Sequence, residues 1–129
     1  ATARFEEAIR ACKKAISLAP KEAEYYRQIG YYFCQDMEPD RGKAALRQAL
    51  KLNTSQEFRR ETTVKLPDIA LMLYVQSSMR RADRELALSL QKQAISILEF
   101  GHELDPDNAD ITEKRQLFIE SPDGSATVK

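Results

Sequence analysis

Ala15–Ile16 and Ala49–Leu50 stand 34 positions apart, and the match extends around them. At the same offset Cys12 falls on Leu46, Ala8 on Gly42 and Leu18 on Leu52, so small residues meet small ones and apolar residues meet apolar ones. A recurrence of this length on helical stretches describes a helix-turn-helix unit that stacks on copies of itself, because one unit alone leaves an apolar face uncovered.

The local patterns supply the helices. Phe5, Ala8, Ile9, Cys12, Ala15 and Ile16 share one face at helical spacing, and Pro20 stops that helix because proline disfavours helical backbone at the residue before it. AEYYRQIGYYFCQ follows, with Tyr26, Ile29, Gly30 and Phe33 as its stripe. MEPDRG reads as a turn punctuated by Pro39 and Gly42, and KAALRQALKL as a third helix carrying Ala45, Leu46, Ala49, Leu50 and Leu52.

These residues resemble the tetratricopeptide repeat family. Tyr26, Ile29–Gly30 and Phe33 stand where its first helix has an aromatic, Leu-Gly and an aromatic. Phe5, Glu7–Ala8–Ile9, Cys12, Ala15–Ile16 and Pro20 are similar to its second helix, and Gly42, Leu46 and Ala49–Leu50 to the next copy. Thr54 departs from the expected closing proline. The resemblance implies an all-α fold, a right-handed stack of antiparallel helix pairs forming an α-solenoid. Gly30, Ala8, Gly42 and Ala49 would let helix axes approach, and Tyr26, Phe33 and Leu46 would fill the space between repeats.

Further along, GHELDPDNAD resembles a repeat junction, with Leu104 and Pro106 closing one pair and Asn108–Ala109 opening the next. Gly101 falls on Ala49 at an offset of 52, which exceeds the 34-residue period by 18 and makes the third unit irregular. SQEFRRETTVKL is an added helix or an extension. A helix then runs from about Asp68 to Met79 with Pro67 in its first turn, and a long one from Asp83 to Leu104. The expected organisation is a half repeat at 1–22, a full repeat at 23–56, an enlarged repeat at 57–106, a terminal helix at 107–120 and a flexible tail at 121–129. The opening half repeat lacks its first helix, which reads as a fragment of a longer array or as a face covered by a partner or another copy.

Composition narrows the function. Twenty basic and twenty acidic side chains cancel, so neither a nucleic-acid tail nor a membrane-surface module is suggested. No apolar run approaches the ~20 residues of a bilayer span, and a cytoplasmic protein is expected. Cys12 and Cys34 lack metal-site spacing and read as two buried thiols. His102, the single histidine, lies near a helix C-terminus where the dipole favours it. With no nucleophile motif, phosphate loop or metal set, neither an enzyme nor a cofactor is expected.

The family resemblance implies a protein-interaction scaffold, part of a larger protein, that binds a peptide or helix in a groove lined by the first helix of each pair. On that basis the exposed groove face holds Glu24, Arg27, Gln28, Tyr31 and Gln35. Chaperone-binding members clamp a carboxylate with Lys, Asn and Arg. Tyr31 stands at the asparagine position, which argues against a clamp. An alternative is a nucleic-acid binder using Arg59, Arg60, Lys65, Arg80, Arg81 and Arg84, although Glu57, Glu61, Asp83 and Glu85 are interleaved with them. A third is a homo-oligomer formed through an end of the stack. Glu99, Glu103, Asp105, Asp107 and Asp110 lack the spacing of a calcium loop.

Overall fold

The structure is a computed structural model that describes residues 3–80 and 82–120, so Arg81 and the expected tail at 121–129 lie outside the described residues. The described residues form six helices and no strand: α1 Ala3–Leu18, α2 Ala23–Gln35, α3 Pro39–Leu52, α4 Gln56–Met79, α5 Arg84–Leu104 and α6 Ala109–Glu120. None of them is long and apolar enough to cross a membrane. The chain divides into two compact units between Thr62 and Thr63, inside α4.

In the first unit Ile9 and Cys12 of α1 pack with Ile29 and Phe33 of α2, and Phe5, Ile16, Tyr32 and Ala45 close around them. The alanine-rich opening helix therefore leans on the stripe of α2. The next contact is closer. A Cβ placed on Gly30 would stand 2.7 Å from Leu46 Cγ, and one on Gly42 would stand 2.3 Å from Cys34 Sγ and 2.8 Å from the Gly30 carbonyl. Two helices meet here at a seam where neither has room for a side chain, and Leu46 and Ala49 are wholly buried beside it.

MEPDRG is not all turn. Pro39 opens α3 at its first position, where the missing N–H costs nothing, and Gly42 lies inside that helix. The turn itself is Asp36–Glu38. The Glu38 N–H closes back on the Phe33 carbonyl at 2.9 Å while Met37 adopts φ 65°, a Schellman-type helix end with methionine where glycine is usual.

The reading of Pro67 as the start of a helix is corrected: α4 begins eleven residues earlier, at Gln56, and runs through the proline. Ser55 caps it, its Oγ accepting the Phe58 N–H at 3.1 Å. Proline cannot donate to the Thr63 carbonyl, at a typical cost of ~3 kcal/mol. Buried Phe58, Thr62, Thr63, Leu66, Ile69, Ala70, Leu73 and Tyr74 nevertheless keep helical spacing through the interruption. Burial on both sides of the proline carries the helix across it.

In the second unit Leu66, Gly101 and Ile111 meet where α4, α5 and α6 converge, and the Tyr74 and Phe118 rings stack with centroids 4.0 Å apart. Asp83 caps α5 by accepting the Leu86 N–H, and Asn108 caps α6 by accepting the Ile111 N–H, each at 3.2 Å. The junction expected at Leu104–Ala109 is where α5 ends and α6 begins.

Candidate interaction face of α2

All five groove residues lie on α2, but only Gln28 is exposed; Glu24, Arg27, Tyr31 and Gln35 are half-buried. The expectation of a wholly exposed face is corrected, and the cause is the start of α4. The Arg27 guanidinium lies 4.3 Å from the centroid of the Phe58 ring, pairs with Glu24, and donates to Thr62 Oγ1 at 3.5 Å. One turn later the Tyr31 hydroxyl donates to the Thr62 backbone carbonyl at 2.8 Å. Thr62 Oγ1 in turn donates to the Phe58 carbonyl at 2.7 Å, which fixes the threonine that both α2 residues address.

The electrostatics follow from burial. Desolvation pushes the Tyr31 phenol up to about 12, against a smaller opposing pull from Arg27, so it stays protonated and able to donate. Burial likewise pushes the Cys34 thiol up to about 12 and raises that of Cys12. Both cysteines are free and buried, which makes them packing groups. Glu24 also accepts from Gln28 Nε2 at 3.4 Å, so the outer edge of α2 presents an amide held by a carboxylate.

A concavity of about 370 Å³ opens in the first unit between α1, the Asp36–Glu38 turn and the start of α3. Ile9 and Phe33 line it together with three cations, Arg10, Lys13 and Arg41, and three carboxylates, Glu6, Asp36 and Glu38. Arg41 lies over the Phe33 ring at 5.3 Å and pairs with Glu38 at 3.5 Å. Its charges are balanced within the cleft, so it does not select a ligand of one sign.

The alternative basic residues divide between the units. Arg59 and Arg60 lie in the first turns of α4 in the first unit, whereas Lys65, Arg80 and Arg84 belong to the second. No group of histidine, cysteine, aspartate and glutamate that could hold a metal occurs among the described residues. Phe58 and Thr62 are the site residues that the sequence reading missed. Their signal was a shared one-turn spacing, Arg27 to Tyr31 in one helix and Phe58 to Thr62 in the other. No family model, curated protein or solved structure matches the chain.

Proposed function

We propose that this chain is a tetratricopeptide-like adaptor, a right-handed stack of antiparallel helix pairs that binds a peptide or helix of another protein along α2. The observation that carries the reading is the progression of contacts between helices. Along α2, Arg27 reaches both Phe58 and Thr62 of α4, and Tyr31 one turn later reaches Thr62, so the contacts advance in the same direction along both helices. Moving one turn along α2 from Gly30 to Cys34 moves the partner one turn back along α3, from Leu46 to Gly42. A helix antiparallel to its neighbour and parallel to the next but one is the order that a stack of helix pairs requires.

In this reading Arg27 and Tyr31 hold α4 in place, and Gln28 and Gln35 meet the ligand, with Glu24 holding Arg27 and Gln28 in position. Amides suit that role because they can both donate to and accept from a peptide backbone. A displayed library of random peptides, selected on the purified chain, tests it. Selected peptides should lose at least about tenfold in affinity on Gln28→Ala with Gln35→Ala, with the melting temperature unchanged. Equal binding by the double variant removes α2 as the site. Nucleic-acid oligomers in the same assay discriminate the alternative: binding that falls with salt and with Arg59→Glu plus Arg60→Glu would replace the adaptor reading.

A further inference from the structure

The cleft of the first unit is balanced in charge, but its two signs are not mixed. Ile9, Arg10 and Lys13 follow Glu6 by three, four and seven positions, so all four share one face of α1, and all four line the cleft. Along that face the sign changes once, from Glu6 to Arg10 and Lys13, over about 10 Å of helix axis. Asp36, Glu38 and Arg41 stand on the opposite wall. Arg41 is engaged with the Phe33 ring and with Glu38. Arg10 and Lys13 are exposed, and neither pairs with a carboxylate among the described residues.

We propose that this cleft binds an extended peptide segment in which one basic and one acidic residue flank an apolar residue, as in Lys-Leu-Glu. Connectivity places the charges. Residues 19–22 join α1 to α2, and packed helices joined so closely run antiparallel. Running on from Phe33 to Asp36, α2 therefore approaches the start of α1, which sets Asp36 and Glu38 at the Glu6 end. One end gathers three carboxylates against one guanidinium, and the other holds the unpaired cations Arg10 and Lys13. Ile9 and Phe33 form the apolar floor between them. Three extended residues span about 10 Å, the length over which the sign changes. Their middle side chain points to the floor while its two neighbours turn to the rim. A helix, about 10 Å across, is too broad for a cleft of about 370 Å³. A peptide of single sign would lose at one end what it gains at the other.

NMR titration of the full chain at low salt, followed at the Ile9 and Phe33 amides, tests this with capped peptides that carry the three residues between glycines. Lys-Leu-Glu should bind at least about fivefold more tightly than Lys-Leu-Lys, Glu-Leu-Glu or Lys-Ser-Glu. Arg10→Glu with Lys13→Glu makes both ends acidic and should turn the preference to Lys-Leu-Lys. Helical circular dichroism should persist, because both positions are exposed. Gln28→Ala with Gln35→Ala should leave the binding unchanged, so this cleft and the α2 face fail separately; a loss there would move the site to α2 and overturn the proposal. Amides that do not shift up to millimolar Lys-Leu-Glu overturn it, as does equal binding of the four peptides. A charge-swapped variant that keeps the parent's preference also overturns it.

Discussion

At Gly42 the free space is negative: a methyl group would overlap both Cys34 Sγ and the Gly30 carbonyl. Cys34 is 1% exposed and the carbonyl belongs to a packed helix, so neither can retreat. Gly42→Ala should therefore destabilise the first unit by about 1–3 kcal/mol, despite the ~1 kcal/mol that alanine gains over glycine within a helix. Gly101 offers the contrast. There the methyl would meet only side-chain ends, Ile111 Cδ1 at 2.8 Å and Leu66 Cδ1 at 3.4 Å, and no backbone carbonyl, so a small shift of the Ile111 terminus is all that is required. Gly101→Ala should stay within about 1 kcal/mol of the parent on the same propensity argument, and chemical denaturation of the two variants compares them directly. Met37 works in the other direction. Its left-handed backbone costs a non-glycine residue roughly 1 kcal/mol, so Met37→Gly should raise stability by about that amount.

Two buried protons give the fold an alkaline limit. Cys34 and Tyr31 release theirs near about 12 when folded, against ordinary values of 9.0 and 10.0. Above the ordinary values the unfolded chain gives up protons that the folded chain retains, so rising pH favours unfolding. The melting temperature should hold below about pH 9 and fall between about 9 and 12. Tyr31→Phe should remove the part that begins near 10.0. The variant should also lose about 1 kcal/mol at neutral pH with the hydrogen bond to Thr62.

Among the helices, the three side-chain caps are the cleanest handles. Ser55, Asp83 and Asn108 each accept the N–H three residues on. Asn108→Ala and Ser55→Ala should each cost about 1 kcal/mol, one in each unit, as read by denaturant unfolding. Much at this scale was legible from residue order. Pro20, Leu104 and Asn108 mark ends because their constraints are local: a ring, an apolar terminus, a short side chain beside an open N–H. The path of α4 was not legible. A proline after a polar run has the local appearance of a start, and only burial contributed by other helices shows that Pro67 is interior. The engagement of Arg27 and Tyr31 escaped for the same reason. Phe58 and Thr62 lie about thirty positions away, in a segment with no repeat partner to align them.

For the whole chain, balanced charge has a physical consequence. With zero formal net charge and a pI near 6.9, long-range repulsion between copies is weakest close to neutrality. Solubility at low salt should pass through a minimum near pH 6.9 and recover on either side, as turbidity titration would record. The all-helical composition of the described residues was accessible from the 34-residue recurrence, but the division between Thr62 and Thr63 was not. That division depends on which residues cluster in space, and it falls within a helix that no local feature splits there.

Because the boundary runs through α4, one helix contributes to two compact units, and each unit is expected to open on its own. Backbone amides along it would then keep two clocks. Those from Arg59 to Thr62 would exchange with solvent deuterium at the opening free energy of the first unit, and those from Ile69 to Met79 at that of the second. Gly42→Ala should speed the first set and leave the second unchanged, so that a single helix becomes the gauge by which the stability of each half is read.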